Sequence, residues 1–261
     1  MRFHPANLLL AAALTTAPLL AQSPSPSPAA MPPTAEPSFE VATIRPAKPG
    51  TTTQGIHPEG DRIFMENESL SGLICVAYNL QKTQLIGAPS WLDDRYDIEG
   101  SPDTPGKPTF RQVKIMLQKL LADRFSLKFH HEQRDLSIYA LVLAKGGPKL
   151  TPNTTGPEGQ PDESSNSDGA ERYMKFSNST IADLTLEMEF YVGKPIVNET
   201  GLTGRYNFTL NWARDDVPQQ DSNALPGLFT AIQEQLGLKL EAKKGPADVL
   251  VIDHIAPPTP N

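Results

Sequence analysis

Two short stretches of this chain contain the side-chain types that acid–base and metal chemistry require. Asp94 and Asp97 lie in the first stretch, and His130 and Glu132 lie in the second. Paired carboxylates can act as general acid and base, and an imidazole can transfer a proton near neutral pH. These four residues are therefore the candidate catalytic groups of a hydrolase, provided that the fold brings them into one pocket.

Strand alternation offers a structural explanation for the acidic stretch. Asp97 and Glu99 alternate with Tyr96 and Ile98, and successive side chains on a strand point to opposite faces. A solvated strand face accounts for these carboxylates without catalysis, and we favour this interpretation.

The same alternation argues against a metal site at the two histidines. His130 and Glu132 can share a strand face, whereas His131 points away from them. Two ligands are fewer than a zinc site requires. Asp253 and His254 close the second half of the chain and could add ligands, but no spacing requires it. We therefore expect neither a metal nor another cofactor.

Two further motifs have structural interpretations. The glycine-rich sequence from Thr200 to Gly204 lacks the Lys and Ser or Thr that follow the second glycine of a phosphate-binding loop. We interpret it as a turn whose glycines adopt positive φ. The only cysteine, Cys75, falls in an apolar helical stretch, which predicts a buried and inert thiol. A single cysteine excludes an internal disulfide.

Aromatic and arginine side chains near two predicted strands form the candidate binding site. Such side chains dominate the energetics of protein interfaces. The alternative is that a tryptophan belongs to the core. The candidates are Trp91, Arg95, Tyr96, Arg205, Tyr206 and Trp212.

The first 21 residues have the pattern of a secretory signal peptide. Arg2 is the only charge, an apolar stretch runs from Leu8 to Leu20, and Ala21 is a plausible last residue before cleavage. The stretch is too short and too interrupted by proline to span a bilayer, although a retained anchor remains an alternative. Residues 22–37 are rich in Pro, Ser and Ala and are predicted to form a disordered spacer. We expect a secreted or periplasmic protein.

The charge balance restricts the possible partners. The whole chain has a formal charge of −7, and removal of the leader takes away Arg2 and no acid, which leaves −8. Nucleic-acid binding is dominated by basic contacts to phosphate, so this balance argues against a nucleic-acid partner. It argues equally against an anionic membrane surface.

After residue 60 the same sequence pattern occurs twice, with an offset of about 110 residues. This self-similarity predicts an internal duplication. The segments Asn67–Leu70, Leu92–Ile98 and Ser126–Phe129 of the first copy correspond to Asn178–Ile181, Leu202–Phe208 and Gly237–Leu240 of the second.

Each copy is predicted to be a strand–helix–strand–strand–helix–strand unit. Helix caps are expected at Ser69, at Thr109 with Gln112, and at Thr180 with Asp183. We also expect a hairpin partner around Tyr139 to Leu143 in the first copy and two closing strands after Gly237 in the second. Helices with one apolar stripe must cover one face of a sheet, so the fold class is α+β with mostly antiparallel sheets.

The predicted organisation has six parts, and whether the two units share a sheet or form two domains stays open. The parts are a signal peptide (1–21), a disordered spacer (22–37), a first unit (38–150), a flexible linker (151–169), a second unit (170–256) and a tail (257–261).

A family resemblance rests on four sequence stretches: Leu120–Phe125, His130–Arg134, Gly147–Leu150 and Thr200–Tyr206. These stretches resemble those of a large secreted bacterial family of unknown function, which is associated with soil and abundant in soil acidobacteria. The resemblance extends from Phe39 to about His254. Related domains are attached to antibiotic-responsive membrane sensor peptidases, which implies sensing or binding. Family members usually carry Asp where this chain has Asn198 and Asn207, so chemistry that needs those carboxylates would be absent here.

The pattern from Phe110 to Leu127 also resembles the small signalling domain of secretins and TonB-dependent receptors. That domain binds protein partners in the periplasm. We therefore predict a secreted or periplasmic binding protein whose partner is an envelope or extracellular protein or glycan. The alternatives are an extracellular or envelope hydrolase, and a sensor element of an envelope signalling system.

Overall fold

A computed structural model of the 261-residue chain describes residues 29–60, 62–154, 162–214 and 225–258. The signal peptide and the first part of the spacer, residues 1–28, lie outside the described residues. The strands are β1 (Phe39–Pro46), β2 (Gly55–Glu59), β3 (Arg62–Ser69), β4 (Leu85–Ile86), β5 (Arg95–Pro102), β6 (Lys128–Leu143), β7 (Thr151–Pro152), β8 (Asp162–Asp168), β9 (Glu171–Ser179), β10 (Ile196–Asn198), β11 (Tyr206–Ala213) and β12 (Leu238–His254). The helices are α1 (Leu70–Tyr78), α2 (Phe110–Phe125), α3 (Ile181–Val192) and α4 (Leu228–Ala231), which a π-helical turn (Ile232–Leu236) continues.

The fold class is α+β, as the sequence predicts. The twelve strands within the described residues form three four-stranded sheets. The first outer sheet has the order β1-β5-β3-β2 and the second outer sheet has the order β7-β11-β9-β8; both are antiparallel. The central sheet has the order β10-β6-β12-β4, in which β6 and β12 pair antiparallel and the two short strands pair parallel to them.

The central sheet contains strands from both halves of the chain. Strand β4 of the first half pairs with β12, and β10 of the second half pairs with β6. Leu250 of β12 is buried in the first hydrophobic core, whereas Leu141 of β6 is buried in the second. Each half therefore completes the sheet and the core of the other.

The two long central strands replace the hairpins expected from the sequence. β6 runs without interruption for 16 residues and β12 for 17. Residues 130–137 contain neither Gly nor Pro, the two residues that most strongly interrupt a strand. Pro246 is tolerated inside β12 because β4 pairs only with residues 250 and 251, which leaves that side of the strand open at residue 246.

The two halves show the same order of elements. The helices α1 and α3 begin at Leu70 and Ile181, and β4 and β10 begin at Leu85 and Ile196, so equivalent positions are 111 residues apart. The outer sheets also match, since β1-β5-β3-β2 and β7-β11-β9-β8 place equivalent strands in the same order.

Helix caps follow the sequence expectations. Ser69 accepts a hydrogen bond from the Gly72 N–H, and capping boxes form at Thr109 and at Thr180. Gly237 ends the last helical turn with φ 66°, in the left-handed region that favours glycine. Two apolar residues of α2 and α4 lie at the surface, since Phe110 is 55% and Phe229 is 44% exposed.

The end of the predicted spacer is ordered against α2. Met31 is 1% exposed, and its N–H donates to the Lys107 carbonyl at 2.9 Å. The buried Gln112 amide donates to the carbonyl oxygens of Pro32 and Ala35. Residues 29–37 thus depart from the expected disorder because side chains of α2 satisfy their backbone carbonyls.

Part of the predicted flexible linker is also ordered. Residues 162–168 form strand β8, which pairs with β9 along its whole length through a turn at Gly169 (φ 53°). Thr151 and Pro152 pair with β11. Polar composition alone did not reveal these strands, because their order comes from pairing with neighbours. Residues 155–161 lie outside the described part of the chain. No helix among the described residues has the length and apolar character needed to cross a membrane.

Candidate functional site

The main cluster of chemically capable side chains lies on one face of the β6–β12 ribbon. His130 Nδ1 lies 2.8 Å from Asp253 Oδ1, and its Nε2 lies 3.0 Å from Glu132 Oε1. Arg134 donates from Nε and Nη2 to Glu132 Oε2 at 2.9 and 2.8 Å. We call His130, Glu132, Arg134 and Asp253 the ribbon cluster.

Strand geometry assembles this cluster. His130, Glu132 and Arg134 alternate along β6 and therefore share a face. Val251 of β12 lies opposite His130, and the register shifts between Ile252 and His254, where the Asp253 carboxylate reaches His130 Nδ1. The four side chains are 40–48% exposed. The sequence placed His130 and Glu132 together but did not require Asp253, because only the register of β12 on β6 brings it there.

The cluster is electrostatically balanced. The hydrogen bonds that His130 donates to Glu132 and then to Asp253 raise its pKa above the ordinary value of 6.5. The hydrogen bonds from His130 and Arg134 lower the pKa of Glu132. Both effects favour an imidazolium whose two N–H groups donate to two carboxylates.

This bonding limits the chemistry of the cluster. An imidazolium has no lone pair with which to bind a metal or accept a proton. Across residues 29–60, 62–154, 162–214 and 225–258, no three His, Cys, Asp or Glu side chains are grouped so that they could hold a metal ion. His131 lies on the opposite face of β6, where its Nδ1 is 2.6 Å from Asp248 Oδ2.

The other two candidate catalytic residues are not joined to this cluster. Asp97 Oδ1 accepts a hydrogen bond from the Asn67 N–H at 2.9 Å, and Asn67 adopts the left-handed conformation (φ 52°). Arg95 donates to the Asn67 carbonyl. Asp94 is exposed, and its carbonyl accepts from the Leu70 N–H. Asp97 therefore holds a strained strand-to-helix junction.

The second half contains the same junction with an amide in place of the carboxylate. Asn207 Oδ1 accepts from the Asn178 N–H at 2.8 Å, and Asn178 has φ 54°. Arg205 donates to the Asn178 carbonyl at 2.7 Å. An acceptor oxygen, with or without charge, thus suffices at this position.

Asn198 has a local structural role as well. Its Oδ1 accepts from the Thr200 N–H at 3.0 Å and from the Thr200 hydroxyl at 2.7 Å. Gly201 and Gly204 have φ of 70° and 114°, which confirms the interpretation of this glycine-rich sequence as a turn.

The residues predicted to form a binding site do not line a common groove. Trp212 is 3% exposed and Tyr96 is 8% exposed, and they belong to the second and the first core, respectively. Trp91 packs against the first core and Tyr206 against the second. Arg95 and Arg205 hold the two junctions described above. In this conformation the tryptophans contribute to packing more than to a surface.

Burial changes the acidity of two groups outside the ribbon cluster. It raises the pKa of the Cys75 thiol to about 11, so this thiol is protonated at neutral pH. It also raises the pKa of Glu189 to about 7, although the Ile196 N–H donates to this carboxylate at 2.8 Å. The sequence did not single out Glu189, because its burial depends on the contact between α3 and β10.

Two surface features also escaped the sequence analysis. Phe190 is 77% exposed, four residues after the exposed Leu186, so the two form an apolar stripe on α3. The i, i+4 spacing could have revealed this stripe. An open depression of about 230 Å³ lies on the second outer sheet between β8, β9 and β11. Its lining contains Lys175 and no acidic side chain, so it lacks the paired acid and base that catalysis commonly uses.

Comparison with known proteins identifies the family but not an activity. A family model described as protein of unknown function (DUF3738) matches residues 71–255, and the chain belongs to this family. No curated protein and no solved structure matches the chain significantly.

If Asp97 serves as an acceptor for the Asn67 N–H, stability depends on its side-chain oxygen and not on its charge. Asp97→Asn should change the free energy of unfolding by less than about 0.5 kcal/mol. Asp97→Ala should cost about 1–3 kcal/mol, because the Asn67 N–H loses its acceptor. Urea denaturation measures both, and Asn207→Ala serves as the matched control in the second half. Equal losses for the Asn and Ala variants would contradict this role.

The ribbon cluster predicts a pH dependence. A pKa of His130 raised above 6.5 means that its stabilising contribution is complete at pH below 6.5 and is lost as the pH rises through the folded-state pKa. NMR titration of the His130 ring should show this raised pKa, and Asp253→Asn should lower it. A His130 that titrates at or below its ordinary value in the wild type would refute the imidazolium arrangement.

Proposed function

We propose that this protein is a secreted or periplasmic binding protein that recognises an envelope or extracellular protein or glycan through the ribbon cluster. The observation that carries this proposal is that the four side chains of the ribbon cluster lie on an exposed strand face and hydrogen-bond one another. A catalytic group needs a free lone pair or proton directed at substrate, whereas a recognition surface needs charges held in fixed positions.

The charges of the ribbon cluster are arranged for recognition of a polar partner. Arg134, and His130 in its protonated form, alternate with the negative Glu132 and Asp253, and hydrogen bonds fix all four side chains. Such fixed charges contribute mainly to specificity and to the rate of association. They also remain partly solvated, so a partner with complementary charges can approach them directly.

The predicted leader and the predicted duplication are consistent with this proposal. An N-terminal signal sequence would deliver the chain to the compartment where envelope partners occur. The matched sheet orders and the constant offset between equivalent elements support a tandem duplication. A duplicated unit joined by one ribbon presents a long, rigid surface, which suits partner binding.

A hydrolase is the second candidate, and one distance favours it. His130 Nδ1 lies 2.8 Å from Asp253 Oδ1, which resembles a general base oriented by a carboxylate. In that mechanism Nε2 must face the substrate, but here it is 3.0 Å from Glu132. Glu132 would have to move before His130 could act. A sensor element of an envelope signalling system is a third candidate and would use the same binding surface.

The test is affinity capture from native envelope extract with residues 22–261 as bait. His130→Ala/Arg134→Ala should weaken retention of a specific partner by about tenfold or more, the effect of losing interface hot spots. The matched control is Lys239→Ala/Glu241→Ala, which removes an exposed ion pair of 2.9 Å from β12 and should retain the partner.

Two outcomes would count against the proposal. Equal retention by the wild type and both variants would show that the ribbon cluster is not the binding site. Hydrolysis of peptidoglycan or peptide substrates that is lost in His130→Ala and kept in the Lys239→Ala/Glu241→Ala control would establish the second candidate instead.

A further inference from the structure

Each long strand of the ribbon, β6 and β12, has one edge that faces away from the other strand. Along β6, alternate residues direct their backbone N–H and carbonyl groups to this outer edge. The Tyr139 N–H donates to the Pro195 carbonyl, and the Leu141 carbonyl accepts from the Glu199 N–H. Odd-numbered residues of β6 therefore direct their backbone groups toward the β10 side. The register with β12 is regular from Phe129 to Leu143, so the odd-numbered residues from Phe129 to Ser137 direct their backbone groups outward as well.

No described strand pairs with this part of β6. Strand β10 covers only residues 139–141, and among the described residues β12 is the only other neighbour of β6. We call the outward backbone groups of residues 129–137 the open edge of β6. The side chains of His130, His131, Gln133, Arg134, Asp135 and Ser137 are exposed, which leaves this edge accessible.

The corresponding edge of β12 is blocked. Pro246 has no N–H, and it occupies an outward position two residues before Asp248, whose carbonyl accepts from the Gln84 amide at 2.8 Å. Proline on an edge strand prevents pairing with another strand. The equivalent position on β6, 111 residues earlier, is Asp135, which keeps its N–H. Of two equivalent edges, only one remains able to pair.

The side chains along the open edge have a self-complementary charge pattern. The sequence from His131 to Asp135 is HEQRD, with Gln133 at its centre. In an antiparallel pair of two identical edges centred on Gln133, Glu132 lies opposite the partner's Arg134. His131 lies opposite the partner's Asp135, which is an acceptor for its imidazole. Opposite charges directly across a strand pair stabilise it, and like charges destabilise it.

The directions of the backbone N–H and carbonyl groups also fit this pairing. Gln133 is odd-numbered, so its N–H and carbonyl point outward and can exchange hydrogen bonds with those of the partner's Gln133. The next pair with outward backbone groups joins two odd-numbered residues again, His131 and the partner's Asp135. A pairing centred one residue away would place Glu132 or Arg134 opposite its own copy and lose the match of opposite charges.

We infer that a second copy of this chain pairs with the first through the open edges of β6, antiparallel and centred on Gln133. The two central sheets become one continuous sheet across the dimer. Glu132, Arg134 and their two counterparts form a square of alternating charge on one face. The contact is isologous, as in most homodimers.

Sedimentation equilibrium of the full chain over a wide range of concentration tests this inference. The wild type should form a dimer. Gln133→Pro removes the central outward N–H and should raise the dissociation constant by about tenfold or more. Lys244→Pro is the matched control, because Lys244 occupies the equivalent outward position on the β12 edge that Pro246 already blocks. This control should dimerise like the wild type.

Exchanging the charges at positions 132 and 134 provides a second test, which does not require the proline variants to fold. Arg134→Glu places like charges opposite each other and should weaken the dimer, whereas Glu132→Arg/Arg134→Glu restores opposite charges and should recover it. A wild type that stays monomeric at every concentration, or a dimer that Gln133→Pro leaves unchanged, would overturn the inference. The measurement needs no binding partner, so its outcome is independent of the proposed function.

Discussion

The pairing of β6 with β12 is the interaction on which the rest of the structure depends. Neither half of the chain can complete its own central layer, because β4 needs β12 and β10 needs β6. The same exchange extends to the cores, since Leu250 fills the first and Leu141 fills the second. Antiparallel pairing between residues 95 (Leu143 and Leu238) to 126 (Lys128 and His254) positions apart is slow to form, but it joins both halves into one cooperative unit.

The ribbon also determines where function can reside. It is flanked by short strands only at residues 139–141 and 250–251, so its central part is covered by neither β10 nor β4. This exposure places the ribbon cluster in solvent and leaves the edge of β6 open. The two outer sheets, by contrast, pack against helices, and their Asn67 and Asn178 junctions fix the direction in which each helix leaves its strand.

Local sequence signals predicted the local structure well. Ser69, Thr109 and Thr180 cap their helices because capping depends on residues within one turn. The sequence also placed His130 and Glu132 on one face, because strand alternation has a fixed period. It determined neither the position of Asp253 nor which tryptophan is buried, because both depend on strand register and sheet packing. The order of residues 29–37 likewise depends on Gln112, a residue distant in sequence.

The central claim is that the ribbon joins both halves into one cooperative unit, and native-state hydrogen exchange tests it most directly. Even-numbered amides of β6, such as Glu132 near the first half and Ala140 beside β10, point toward β12. The account predicts that both exchange only through global unfolding, with the same free energy of exchange as measured by denaturation. Two distinct free energies, one for each end of β6, would show that the halves open independently and would contradict the account.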